Sequence, residues 1–241
     1  MFDADAIDFR EPVALFPLPT VSLLPHALQP LHVFEPRYRQ MVEDALGSSA
    51  AGDFEHAAPI AMATFAGDAW RTEYSGAPAL RPVVCVGRIV QHGRRSDGRH
   101  DIMLHGVARA RILAMHEPEG GRAYRMAELV PLERMHEERP PMRRVRSMMH
   151  DLLSRPRLGR VEAAKHVVGW FARADVPVHA AIEVAGYALV RDAEMRYRLL
   201  AEPDPYRRVA IVRDAVMDLE RTIALAERQG SDAWPKGQSW N

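Results

Sequence analysis

The sequence predicts an α+β fold in which strands come first and helices follow. Before about residue 136, short apolar runs end at prolines and glycines, as strands do. Beyond that point, apolar residues recur at the spacing of one helical face. Segregated strands and helices favour α+β over a wound parallel sheet. We therefore predict a mostly β domain over residues 1–136, a helical domain over residues 137–229 and a flexible tail over residues 230–241.

The first half is predicted to contain one helix and two hairpins besides its strands. Pro36 suits the first turn of the helix and Gly47 its C-terminal cap. Asp97-Gly98 predicts a hairpin turn, residues 117–121 predict a second, and Gly106 is expected to break the run between them. The predicted strands are residues 13–16, 21–24, 31–34, 60–65, 83–91, 101–104, 107–115 and 123–132.

The second half is predicted to consist of helices, and the apolar residues of both halves are expected to form cores. The predicted helices are residues 145–153, 161–174, 178–190, 192–201 and 209–223. In the first half, the residues expected in the core are Phe16, Leu23, Leu24, Val33, Phe34 and Tyr38, because they recur at strand and helix spacing.

Composition indicates an ordinary globular protein without a strong charge preference. Thirty-two basic residues balance 32 acidic ones, whereas nucleic-acid-binding proteins usually show a basic excess. The single cysteine, Cys85, lies in an apolar run and is expected to be a buried, inert thiol, so no intramolecular disulfide is predicted. No apolar stretch is long enough for a membrane span, and the N-terminus lacks the basic region of a signal peptide, so we expect a cytoplasmic protein.

No motif of a known catalytic or cofactor site is present, so we expect no enzyme activity, no cofactor and no metal. The phosphate-binding loop, the dinucleotide fingerprint, the nucleophile elbow and the zinc-protease helix are all missing. Eleven histidines leave a metal site at His92, His100 and His105 as an alternative to scattered surface histidines. Lys165 follows Glu162 on a predicted helix, where a solvated charge is expected rather than a catalytic lysine.

One dense stretch of motifs reads LFPLP at residues 15–19, LLP at 23–25 and PLHVFEPRYR at 30–39. It resembles the N-terminal, substrate-recognition domain of Lon-type proteases. The similarity continues through VGRI at 86–89, the Asp97-Gly98 turn, GVARARI at 106–112 and residues 124–132 and 199–209, so that it covers about residues 11–228.

This resemblance implies a PUA-like β pseudo-barrel followed by a small α-helical bundle. It also implies a role in the capture of unfolded polypeptide, which that region has in Lon proteases. The ATPase and protease modules that follow it there are not part of this sequence. We therefore expect a non-catalytic binding protein for unfolded polypeptide or a partner protein, and the sequence leaves its oligomeric state open.

Three groups of residues are candidates for the binding surface. Glu35 and Arg37 flank Pro36 at a strand-to-helix corner, where they either fix the corner or form the polar rim of a groove. Four methionines gather near the domain junction, namely Met135, Met142, Met148 and Met149. An exposed subset that includes Met142 could grip unfolded chains, although helix-bundle core is the favoured interpretation. The third group comprises Arg94, Arg95, Arg99, Arg109 and Arg111.

The arginine group carries the alternative function, that of an RNA-binding PUA-like module. Arg109 and Arg111 are two apart and should share one strand face near the Asp97-Gly98 hairpin. A single basic surface would support RNA binding, whereas arginines paired with carboxylates would argue against it. A third hypothesis, an enzyme of unrecognised type, predicts a deep pocket with convergent ionisable groups.

Overall fold

The computed structural model describes residues 7–47, 54, 56–73, 77–133 and 142–229. The chain divides into two compact units, Met1–Arg139 with Asp192–Pro203, and Pro140–Arg191 with Asp204–Asn241. The segment Asp192–Pro203, which contains the helix predicted at 192–201, thus groups with the strands. The predicted domain boundary and the predicted tail lie outside the described residues.

The first unit is built on a mixed sheet of six strands. β1 is parallel to β3, and the other pairings are antiparallel. The order is β2-β5-β4-β3-β1-β6, and β5 also pairs with β6, so five strands are joined in a ring and β2 is attached outside it. The strands are β1 (Val13–Leu18), β2 (Leu28–Val33), β3 (Ile60–Thr64), β4 (Val83–Arg94), β5 (His100–His116) and β6 (Met126–Pro131).

The core of the first unit lies among these strands. Leu15, Ala61, Val84, Val86 and Ala110 are fully buried within one apolar cluster. Of the six residues expected in this core, Phe34 alone is exposed; the buried ones are Phe16, Leu23, Leu24, Val33 and Tyr38. Cys85 is buried, as expected. Burying an aliphatic or aromatic side chain stabilises by about 1.5–3 kcal/mol, so these residues account for much of the stability of the sheet.

Two further predictions, both about the strands of the first half, are wrong. Residues 21–24 form no strand, because Leu23 and Leu24 fill the core from an irregular segment. Gly106 does not break the chain, since β5 continues through it, and two backbone hydrogen bonds join Gly106 to His26 and Ala27.

In the described residues, three helices belong to this unit. α1 (Pro36–Leu46) begins at a proline, buries Tyr38, Met41, Val42 and Ala45, and ends at Gly47 with φ 54°, as the sequence predicts. α2 (Trp70–Glu73) was not predicted, because four residues are too few to show a helical period. α6 (Ala193–Ala201) is capped by Asp192, whose carboxylate accepts a 2.7 Å hydrogen bond from the Met195 backbone N–H.

The second unit is helical. It contains α3 (Arg143–Leu153), α4 (Glu162–Ala172), α5 (Val178–Leu189) and α7 (Pro205–Gln229), with a 3-10 turn at Leu158–Arg160. Between α5 and α7, Glu183 and Arg208 form a buried ion pair at 2.9 Å. Within the described parts of the chain, no helix combines the length and apolar character that crossing a bilayer requires.

Candidate functional site

The edge strand β2 exposes an apolar row. Side chains two apart along a strand point to the same side, and Leu28, Pro30 and His32 are all exposed. Phe34 follows directly after the strand and stacks on His32 with ring centroids 6.1 Å apart. Leu28 is 50% exposed and Phe34 58%. We call these four residues the β2 surface.

The exposure of Phe34 overturns the expectation that it is a core residue. Val33 is the last residue of β2 and is buried, and α1 begins at Pro36. Phe34 therefore lies in the corner between two elements, where neither the strand period nor the helix period determines which way a side chain points.

The edge of β2 is poorly suited to pairing with another strand. Among the described strands, only β5 pairs with β2. Pro30 has no backbone N–H, and the Gln29 side chain donates a 2.9 Å hydrogen bond to the Pro30 carbonyl. Proline and a blocked carbonyl protect an edge strand against strand addition. A ligand at this surface would therefore be held mainly by side-chain contacts.

The polar groups beside the β2 surface are already paired with one another. Asp101 lies 2.7 Å from His32 Nδ1 and accepts a 2.7 Å hydrogen bond from Arg95 Nε. These two hydrogen bonds hold the pKa of the Asp101 carboxyl below its ordinary value. Local pairing leaves little uncompensated charge, so the surface would recognise a ligand through apolar contact rather than through charge.

Glu35 and Arg37 fix the corner that follows Phe34. Arg37 donates from Nε and Nη2 to Glu35 at 3.0 and 2.9 Å, and its guanidinium lies 4.6 Å from the centre of the Tyr38 ring. The Glu35 backbone carbonyl accepts from the N–H groups of Tyr38 and Arg39. This geometry corresponds to the corner-fixing alternative.

Arg37 and Tyr38 also line a small cleft. Its other walls include Pro17, Pro118 and Tyr124. Its volume is about 30 Å³, roughly the volume of one water molecule and far below that of a small-molecule site. The Tyr124 hydroxyl donates a 2.9 Å hydrogen bond to Asp44, and burial together with this bond raises the pKa of Tyr124 to about 12. The cleft therefore does not offer the deep pocket that the enzyme hypothesis predicts.

The five candidate arginines do not form one unpaired basic surface. Arg94 lies 3.4 Å from Glu43, Arg95 is 2.7 Å from Asp101, and Arg99 is 3.2 Å from Asp97. Each therefore has a carboxylate partner, which is the arrangement that argues against phosphate binding.

The last two arginines have the same strand parity, as expected, but do not form one exposed surface. Arg109 is buried, donating to Glu133 at 3.1 Å and to the Leu200 carbonyl at 3.0 Å, whereas Arg111 is exposed. Arg109 is thus part of the interior of the first unit, and only Arg111 is presented at the surface of β5.

The candidate methionines lie mostly in the interior. Met142 and Met149 are buried, Met148 is half-buried, and Met135 lies outside the described residues. This agrees with the favoured core interpretation for the two buried ones. The exposed apolar residues are instead those of the β2 surface, and the sequence pattern did not predict their exposure. The sequence did carry one signal for them, because Pro30 directly precedes the strand predicted at residues 31–34, and proline is confined to edge strands and strand ends.

The histidines do not assemble a metal site in the described residues. No group of three or more metal-ligating side chains occurs there. His92 Nε2 does lie 2.8 Å from His100 Nδ1, but as a hydrogen-bonded pair. Lys165 forms a 2.9 Å ion pair with Glu162, the solvated role expected from the sequence.

Comparisons with known proteins agree with the fold. A profile of the ATP-dependent protease La (LON) substrate-binding domain matches residues 12–217. The chain is similar to the N-terminal domain of Mycobacterium avium complex Lon protease, with a TM-score of 0.63 and 19% identity over 86% of this chain and 99% of that one. It is also similar to the Lon N-terminal domain protein from Xanthomonas campestris, with a TM-score of 0.55 and 20% identity over 89% of this chain and 98% of that one.

At these identities the two structures show the shared fold alone. No curated protein sequence matches the chain significantly. The profile, by contrast, spans most of the sequence, from the first strand into α7. The chain therefore belongs to the Lon substrate-binding domain family.

Proposed function

We propose that this protein binds unfolded polypeptide segments at the β2 surface and performs no catalysis there. The observation that carries the proposal is the exposed row on the edge strand β2 of a substrate-binding family member, which begins at Leu28 and ends with Phe34 just after the strand. Leu28 and Phe34 are about 20 Å apart along the chain, and the exposed Pro30 and His32 lie between them. A continuous exposed surface with large apolar side chains marks an interaction site. Glu35 and Arg37 would form the polar rim of this surface, since Glu35 follows Phe34 directly and pairs with Arg37 at 2.9 Å.

Physical chemistry favours polypeptide over RNA as the ligand. An unfolded chain exposes apolar side chains that Leu28 and Phe34 can cover, and each side chain contributes up to about 1.5–3 kcal/mol when fully buried. RNA binding instead needs cations that are available to phosphates. Arg94, Arg95 and Arg99 each lie beside a carboxylate.

The test is fluorescence anisotropy of a labelled, permanently unfolded polypeptide titrated with the protein. The double variant Leu28→Ser/Phe34→Ser should raise the Kd by about tenfold or more, which corresponds to about 1.4 kcal/mol. Leu225→Ser is the matched control, because Leu225 on α7 is 57% exposed, as Phe34 is, and lies in the other unit. It should leave the Kd unchanged within about twofold.

Three outcomes would contradict the proposal. One is a wild-type protein that does not bind the polypeptide. The second is a double variant that binds like the wild type. The third is a labelled single-stranded RNA that binds instead, with affinity falling steeply as salt rises, which would move the function to the exposed basic residues.

A further inference from the structure

The end of the β4–β5 hairpin meets α1 through two histidines and a carboxylate. His92 on β4 and His100 on β5 lie side by side, with Nε2 of His92 2.8 Å from Nδ1 of His100 and ring centroids 5.1 Å apart. His100 is 1% exposed. Its Nε2 is buried without a hydrogen-bonding partner at bonding geometry, but lies 3.4 Å from Glu43 Oε1 on α1.

These contacts determine where the protons lie. A hydrogen bond between two imidazole nitrogens needs one donor and one acceptor. The carboxylate of Glu43 favours a proton on His100 Nε2, so His100 Nδ1 accepts from His92 Nε2–H. Both rings are then neutral. A proton added to His100 Nδ1 would turn the acceptor into a donor and break the bond between the two rings.

The surroundings hold little negative charge to compensate for added protons. On α1, Glu43 faces the pair and Arg39 packs against Gly98 in the hairpin turn. On β4, Arg94 lies 3.4 Å from the same Glu43 oxygen that faces His100. Burial is the largest cause that lowers the pKa of both histidines, and Arg94 adds to it for each.

The other carboxylates of this hairpin already have basic partners. Asp97 lies beside Arg99, and Asp101 lies between Arg95 and His32. Only the single negative charge of Glu43 would therefore balance a doubly protonated His92–His100 pair, and Arg94 already shares that charge.

We propose that the His92–His100–Glu43 cluster is a pH-sensitive contact that holds the hairpin end on α1, and that its protonation frees the hairpin and weakens the β2 surface. The link to the β2 surface is the strand register. His100 is the pairing partner of Val33, and Phe34 follows Val33 directly. The opening of the hairpin is independent of the function proposed above, whereas its effect on polypeptide binding rests on that function.

Hydrogen exchange measured by mass spectrometry tests the opening without any ligand. After correction for the intrinsic effect of pH on exchange, the protection of amides 92–100 should fall by about tenfold between about pH 7.5 and pH 5.5. Protection that stays constant over this range would overturn the proposal.

Two variants assign the effect to the pair. The double variant His92→Gln/His100→Gln has neither imidazole, so the protection of amides 92–100 should change by less than about twofold over the same range. His92 is half-buried, so His92→Gln alone serves as the test if the double variant does not fold, and with one imidazole left it should lose less protection than the wild type. His166→Gln is the control, because His166 is 74% exposed on α4, and it should respond to pH as the wild type does.

A loss of protection in the double variant, or one in His92→Gln as large as in the wild type, would overturn the proposal, since the contact between the two rings would then not be responsible. Anisotropy with the unfolded polypeptide at both pH values adds the functional readout. Weaker binding at about pH 5.5 in the wild type, but not in the double variant, supports the link to the β2 surface. If the polypeptide binds at neither pH, the proposed function fails while the exchange result still decides the pH-sensitive contact.

Discussion

Arg109 is a buried charged residue with a structural role, whereas Arg111, two residues further along the same strand, is exposed. The Arg109 side chain is 1% exposed and bonds Glu133 and the Leu200 carbonyl. Arg109→Met should therefore destabilise the protein by about 2–3 kcal/mol, because it leaves a largely buried carboxylate and a carbonyl without this donor. Urea unfolding followed by circular dichroism measures this difference.

Arg111→Met is the matched control, since Arg111 is exposed two residues further along the same strand. It should change stability by less than about 0.5 kcal/mol. Equal losses from the two substitutions would show that Arg109 is not held by the contacts described. A reduced RNA affinity with unchanged stability in Arg109→Met would instead return this residue to a binding role.

At the level of single residues, the sequence predicts chemical type better than environment. Arg109 and Arg111 have the same strand parity, yet Arg109 is buried beside Leu200, which is 91 residues away in the chain. Phe34 belongs to an apolar pattern, but it lies at a corner between β2 and α1. In both cases a long-range contact or a turn, and not the local strand or helix period, determines how exposed the side chain is. The period alone therefore could not predict the exposure of Arg109 or Phe34.

Among the elements, β5 depends on a glycine because another backbone approaches it closely. A Cβ atom at Gly106 would overlap the Leu24 carbonyl oxygen and would lie 3.1 Å from Cys85 Sγ. Backbone atoms cannot move aside as a flexible side chain can. Gly106→Ala should therefore destabilise the protein by about 2–3 kcal/mol in urea unfolding.

Gly93→Ala on β4 provides the comparison, because a Cβ atom there would have no neighbour within 4 Å. Its stability should stay within about 0.5 kcal/mol of the wild type or rise slightly, since alanine loses less conformational freedom than glycine on folding. If Gly106→Ala were as stable as Gly93→Ala, the close approach of Leu24 would not constrain β5.

The elements that the sequence predicts well are those with local signals. α1 has its proline start, apolar face and glycine end, and the Asp97-Gly98 turn has Gly98 at φ 80°. The wrong predictions concern residues 21–24 and Gly106, where tertiary contacts override the pattern. An apolar run can fill a core without pairing as a strand, and a glycine in a strand can mark close backbone approach instead of a break.

For the whole molecule, the order of strands and helices predicts the class but not the connections. The parallel pairing of β1 with β3 and the pairing of β2 with β5 are long-range contacts without a sequence signature. α6 joins the strand unit through Tyr197, whose hydroxyl accepts a 3.0 Å hydrogen bond from the Val83 N–H, and through Glu194, which pairs with Arg81 at 2.6 Å. A helical period shows that α6 exists but not what it packs against.

Three histidines of the first unit should make the stability of the protein fall as the solution becomes acidic. Burial is the largest cause that lowers the pKa of His92, His100 and His105 below 6.5. Below that value the unfolded chain therefore binds more protons than the folded one, so the free energy of unfolding decreases as pH falls from 6.5 through the folded pKa values. Urea unfolding at about pH 7.5, 6.5 and 5.5 should show this decline, and His92→Gln should make it shallower while the exposed-site variant His166→Gln should not.

The paired carboxylates Asp101, Glu162 and Glu194 cannot produce the decline. Hydrogen bonds with His32, Lys165 and Arg81, respectively, lower their pKa values further from this pH window. Stability that is constant or rises on acidification would contradict the burial of neutral histidines in this unit.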